Sequence, residues 1–170
     1  GYSEAAIREV RSLIFELRDE MLTRILKGKN LTSTELLRIR GMLSQVNATD
    51  LSQQMQEVLS RYARWSFEEG VGKIDGMLGS DDVSKVFKLP PANVEILKSY
   101  KADKIVTIVP RLLDDVSSQV SLAFVGNRTP AEVARRISAK FETSAYVAER
   151  IVRTEVKALQ NRGEESRIQQ

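Results

Sequence analysis

The sequence predicts an all-α protein, and three observations carry that expectation. Apolar residues recur at spacings of three and four along most of the chain, the period of an amphipathic helix. Only four prolines and nine glycines interrupt 170 residues. No stretch alternates apolar and polar residues as a half-buried strand requires. Hydrophobic residues make up 42% and charged residues 29%, ordinary globular usage that argues against wholesale disorder. The length suits one domain, or a compact domain with an extended helical arm.

The first helix is expected from Ser3, as N-cap, to Leu26, with Ile7, Val10, Ile14, Leu17 and Met21 as its apolar stripe and Gly28 as its stop. The nearly heptad spacing implies a helical hairpin or a partner helix. Thr32-Ser33-Thr34-Glu35 reads as a capping box opening a short helix to Val46, with Leu36, Leu37, Ile39 and Leu43 apolar. After a break and recap at Asn47–Asp50, a third helix is expected over 51–78, carrying Met55, Val58, Leu59, Tyr62, Trp65, Ile74 and Leu78. Gly70, Gly72 and Gly76 in its second half predict a bend or a close approach to another helix. A break from Gly79 to Pro90-Pro91, pinned by Val86, Phe87 and Leu89, precedes a short helix from Pro91 to Tyr100. Ala102 to Val125 reads as a helix that Pro110 should kink or split near Ile108, with Leu122 among its apolar residues and Gly126-Asn127 as C-cap. Thr129-Pro130-Ala131-Glu132 supplies an N-cap, a proline at the first helical position and an acid in the first turn. That helix is expected to end near Phe141, and Thr143-Ser144 to cap a last helix from Ala145 to near Arg167. The architecture predicted is long amphipathic helices in hairpins or a bundle, with a C-terminal capped helix pair. Residues 1–79 form an N-terminal helical region and potential docking arm, 80–91 a connector, and 92–170 a second helical domain.

Chemistry is narrowed by what is missing. Without cysteine or histidine there is no disulfide framework, zinc site, thiol nucleophile or histidine-based triad. The lack of cysteine suits a reducing compartment. Asp81-Asp82 reads as a pair of adjacent helix-capping acids, and neither it nor Asp114-Asp115 is joined to the further carboxylates that a metal-dependent nuclease would need. No catalytic residue, cofactor, metal or small-molecule substrate is expected, and the chain is read as an assembly or binding protein rather than an enzyme. No run approaches the roughly 18 apolar residues of a membrane span. Gly1-Tyr2-Ser3-Glu4 lacks the pattern of a signal peptide, and the missing initiator Met suggests a processed or excised chain.

The net charge of +3 is unevenly placed. Residues 1–127 hold 17 Lys/Arg against 17 Asp/Glu, whereas 128–170 hold 9 against 6. The ordinary reading is a solvated helix face. The alternative is a DNA-binding module using Arg128, Arg135, Arg136, Lys140, Arg150, Arg153 and Lys157.

On a wheel of the last helix, Ala148, Ile151, Val152, Ala158 and Leu159 form the apolar stripe and Glu155 falls within it. A carboxylate there needs a partner, and Arg162, Arg135 or Arg136 are the candidates. A general acid or base would need a second carboxylate and a cleft, so Glu155 reads as a structural pin. Glu149 and Arg153 form a separate surface pair, and Thr154 is placed to bond a carbonyl of its own helix or the facing one.

The run Ala148-Glu149-Arg150-Ile151-Val152-Arg153-Thr154-Glu155-Val156, followed by Asn161 and Gly163, resembles the Arg-Thr-Glu signature of phage head morphogenesis (minor capsid) proteins of the Mu F-like type. The capped segment from Thr129 to Ile137 resembles the helix before that signature, and the resemblance covers about 75 residues. Gln160 and Glu164 depart from the aromatic and basic residues common there. The further segment usual in the family, with a tryptophan and an Asp-Arg-rich turn, is absent, which implies the helical portion of a longer protein or a short member. The resemblance implies a minor head component that joins the procapsid through the portal, with portal, major capsid or scaffold proteins as partners. It further implies contact with double-stranded DNA during packaging or delivery, a place in the virion head and assembly in the host cytoplasm. An exposed apolar stripe on the first helix is the docking surface expected.

Overall fold

The computed structural model describes residues 1–27, 32–77, 100, 102–126 and 128–168. Among them are five α-helices and no strand: α1 (Tyr2–Leu26), α2 (Ser33–Gln45), α3 (Ala48–Met77), α4 (Ile108–Val125) and α5 (Pro130–Ile168), with a 3-10 turn at Asp103–Thr107 before α4. The expected all-α fold is therefore what forms. Of the helix expected over 91–100 only Tyr100 is described, and the connector at 80–91, the Asp81-Asp82 pair and the Gly28 stop lie outside the described residues.

Local chemistry explains most helix starts. The Thr32 hydroxyl accepts from the Glu35 amide at 3.2 Å, while the Glu35 carboxylate turns to Arg38 at 3.4 Å. Asn47 Oδ1 accepts from the Asp50 amide at 2.9 Å, so α3 starts at Ala48 rather than Leu51. Thr129 accepts from the Glu132 amide at 3.2 Å. These bonds satisfy amides that have no carbonyl one turn back. Ser3 is not a cap: α1 begins at Tyr2, with Gly1 as a cap that offers no side-chain bond. Pro110 stands in the first turn of α4, where its missing N–H breaks no helical bond, and the chain does split at Ile108.

The largest departure from expectation is at Thr143-Ser144. These residues do not separate two helices; α5 runs unbroken for 39 residues, about 58 Å at 1.5 Å per residue. The Thr143 hydroxyl donates back to the Ala139 carbonyl at 3.0 Å, a bond compatible with a continuous helix, and Ser144 is buried. Phe141, Ser144, Ala145, Ala148, Val152, Val156 and Leu159 carry one buried stripe through the supposed break.

That long helix is the spine of the fold, packing chiefly against α3 and α1 and then α4. Ala6, Ile7, Val10, Ile14, Met21 and Ile25 of α1 are all buried, in the same core as Leu36, Met55, Leu59, Leu112, Ile137, Phe141 and Val152. The α1 stripe is thus core rather than an exposed docking surface. Residues before 80 and after 91 contribute to this one core. Leu37 and Leu122, expected on buried faces, are 59% and 47% exposed.

Beyond this core, Ala63, Phe67, Val71 and Leu159 form a smaller cluster where α3 crosses the end of α5. Gly70 and Gly163 make the crossing close. A Cβ on Gly70 would press into the Gln160 carbonyl, and one on Gly163 into the Phe67 carbonyl. The close approach expected in the glycine-bearing half of α3 is realised at Gly70. The Ser66 hydroxyl, itself buried, donates to the Val156 carbonyl at 3.0 Å and locks the same pair of helices.

Candidate functional site on the outer face of the last helix

Burying one side of α5 turns the other to water. Tyr146, Arg150, Arg153, Thr154, Lys157 and Asn161 all lie within about a third of a turn of one another at 100° per residue. All six are exposed, with Tyr146 at 62% and Val147 beside it at 40%. The residues of the Arg-Thr-Glu segment therefore divide: Arg150, Arg153 and Thr154 face outward, Val152 and Val156 face the core, and Glu155 sits at the border.

Glu155 is mostly buried, with 14% of its side chain exposed, and its partner is Lys104, 3.5 Å away. This corrects the expected pairing. Arg162 is exposed and makes no ion pair among the described residues. Arg135 and Arg136 lie on the same unbroken helix, about 30 Å toward its start. Lys104 reaches Glu155 because Ala102 adopts a left-handed conformation (φ 49°) and turns the chain into the short 3-10 helix. Left-handed backbone is unfavourable for a residue with a Cβ, and burial of Ala102 holds it in place. Tyr100, half-buried nearby, has its hydroxyl enclosed without a partner among the described residues. Burial first, then the Glu155 and Asp103 charges, push its phenol far above the usual range, so it stays neutral.

Lys104, Val147, Arg150, Ile151, Thr154 and Glu155 line an open groove of about 310 Å³. Thr154 is exposed and lines this groove, and among the described residues it makes neither of the carbonyl bonds expected of it. The Glu149–Arg153 pair forms as expected at 2.8 Å and is extended by Glu4, 3.1 Å from Arg153, and Arg11, 3.6 Å from Glu149. The hydrogen bond to Glu149, then the charge of Glu4, raise the Arg153 pKa further. Asn161 is exposed, whereas Gly163 serves the α3 crossing.

Of the residues proposed to touch DNA, Arg135, Arg136, Lys140, Arg150 and Lys157 make no ion pair among the described residues. Arg135, Arg136, Arg150 and Lys157 are exposed, and Lys140 is intermediate. Arg128 is partly buried, with one guanidinium nitrogen enclosed and unpaired among the described residues. Among the described residues no three carboxylates gather as a metal site, and no helix is long and apolar enough to cross a membrane.

One cluster escaped sequence reasoning. Tyr2, Tyr62 and Trp65 stack at the junction of α1 and α3, with Tyr62 edge-on to Trp65 at 5.1 Å. Glu9 pairs with Arg61 and accepts the Tyr62 hydroxyl at 2.6 Å. Only the i, i+3 spacing of Tyr62 and Trp65 hinted at it. The hydrogen bond to Glu9, then burial, raise the Tyr62 pKa. A raised folded-state value means this stabilisation is complete below the unfolded value near 10 and is lost as pH climbs through the folded one. Tyr62→Phe should cost about 1 kcal/mol at pH 7 and flatten the loss of stability above pH 10. Urea unfolding of both proteins between pH 7 and 11 checks this, and parallel curves would contradict it.

Compared with known protein families, curated proteins and solved structures, the chain matches none.

Proposed function

We propose that this chain is an assembly protein of a phage head, a minor head component that docks on the portal or procapsid through the outer face of α5. The observation that supports the reading is the placement of the Arg-Thr-Glu segment. Arg150 and Thr154 are exposed beside the apolar Tyr146 and Val147 rather than absorbed into the core. An exposed aromatic and an aliphatic side chain framed by cations is the composition of a protein-contact surface, where a few such anchors carry most of the binding. In this reading the chain performs no chemistry and uses no cofactor. It assembles in the host cytoplasm and takes its place inside the head, near the portal, where it aids packaging or delivery of the genome.

Co-expression with the portal, major capsid and scaffold proteins of the head it is proposed to join tests the reading. A stable complex with one of them, weakened by Tyr146→Ala, is expected. Failure to co-purify with any of the three would sink it.

A second reading has its own observation. Arg135, Arg136, Arg150 and Lys157 share the exposed side of α5 with no ion pair among the described residues, which suits contact with the phosphates of double-stranded DNA. Titration with duplex DNA at two salt concentrations separates the readings: affinity that falls steeply with salt supports DNA contact, and weak, salt-insensitive binding rejects it. The exposed Tyr146 and Val147 favour the protein partner.

A further inference from the structure

The groove beside Arg150 has two unlike parts. Val147 and the partly buried Ile151, one turn apart on α5, give it an apolar part. Lys104 and Arg150 make the rest of its lining cationic. Arg150 makes no ion pair among the described residues and stacks only loosely on Tyr146, 6.0 Å from its ring centroid. Lys104 is anchored by Glu155 yet keeps 67% of its side chain exposed. Lys104 and Arg150 against Glu155 leave the groove one positive charge in excess, so its electrostatics ask for a single carboxylate. Its volume of about 310 Å³ lies at the lower end of ligand pockets and is open to solvent. A phosphate backbone would satisfy the cations and leave Val147 and Ile151 bare. An aliphatic side chain alone would leave Arg150 unused.

We propose that this groove takes a short linear segment of a partner protein that presents one acidic side chain next to one aliphatic side chain. The aliphatic group lies on Val147 and Ile151. The carboxylate meets the Arg150 guanidinium, whose planar fork matches it in a two-bond contact, with Lys104 as the second cation. Thr154, exposed and lining the groove, offers its hydroxyl to the segment's backbone. Glu155 keeps Lys104 in position, and its charge disfavours a second acidic group in the groove. The inference rests on the docking reading above and names the chemistry of the partner.

Selection of a random displayed-peptide library on the full chain tests it, with the exposed-site variants Arg150→Glu and Val147→Asp as parallel targets. Both variants should keep the parent's helical content and thermal midpoint. The expected consensus places Asp or Glu beside Leu, Ile or Val, and a synthetic consensus peptide should bind the parent about tenfold or more tightly than either variant. Replacing the peptide's acid by its amide should weaken binding similarly. A consensus lacking the acid or the aliphatic residue, equal binding to the variants, or no enrichment overturns the proposal, as does loss of duplex-DNA binding alone in the variants. Co-purification separates this result from the assembly reading. A parent chain that holds the portal but selects no peptide refutes the groove alone. A chain that selects the peptide but holds no head protein upholds the groove and refutes the assembly role.

Discussion

Ile14→Asp is expected to abolish cooperative folding at neutral pH. Ile14 is fully buried in the middle of α1, within the core that α1 shares with α3 and α5. Truncation to Ala alone should cost about 2–5 kcal/mol through lost burial and the cavity left behind. An unpaired carboxylate adds several kcal/mol of desolvation. The sum rivals the roughly 5–15 kcal/mol that holds a domain of this kind together. Circular dichroism should show most helicity lost, or a broad, non-cooperative melt. A well-folded Ile14→Asp protein that had lost only partner binding would restore α1 to the role of a detachable docking arm. The same logic says that deleting residues 3–26 disrupts the whole fold rather than removing one contact.

The second large effect is at the crossing of α3 and α5. Gly163→Ala should destabilise by about 1–3 kcal/mol, although alanine is ordinarily favoured over glycine within a helix by about 1 kcal/mol. The new Cβ would press into the Phe67 carbonyl and stand 3.2 Å and 3.3 Å from its carbonyl carbon and Cα. Those are backbone atoms, held by the hydrogen bonds of α3, and cannot swing aside as a side-chain tip does. Gly70→Ala should behave alike, because its Cβ would meet the Gln160 carbonyl group and the Glu164 amide nitrogen. Gly41, exposed within α2 with nothing within 4 Å, supplies the control. Gly41→Ala should stabilise by about 0.5–1 kcal/mol, since there only helix propensity acts. Denaturant melts of the three variants give the comparison. Equal shifts of one sign would contradict the close crossing.

Features governed by local chemistry were legible in the sequence. The caps at Thr32, Asn47 and Thr129 and the split before α4 at Pro110 follow from residues a few positions apart. Thr143-Ser144 misled because hydroxyl residues that favour caps also bond back to a helix carbonyl. The stripe from Phe141 through Ser144 and Ala145 to Ala148 was the better guide to continuity. The partner of Glu155 was not legible, since Lys104 arrives from a distant 3-10 turn set by the left-handed Ala102. Periodicity told which way Ile14, Leu37 and Leu122 point on their own helices but not what covers them. The α1 stripe is covered, while Leu37 and Leu122 are not. Gly70 signalled a close approach; Gly163 was noticed only as part of the Arg-Thr-Glu resemblance, and pairing the two requires knowing that α3 crosses the end of α5. Of the candidate site, the outward face of the basic residues was readable. The groove was not, because Lys104 comes from outside that helix.

A reconstruction of the procapsid that locates this chain is the most direct test of the proposed assembly role. The account predicts density for the chain inside the head beside the portal, with the Tyr146–Arg150 side of α5 turned toward its partner. Density in the tail or outside the particle, or no association with the head at any stage, would contradict it.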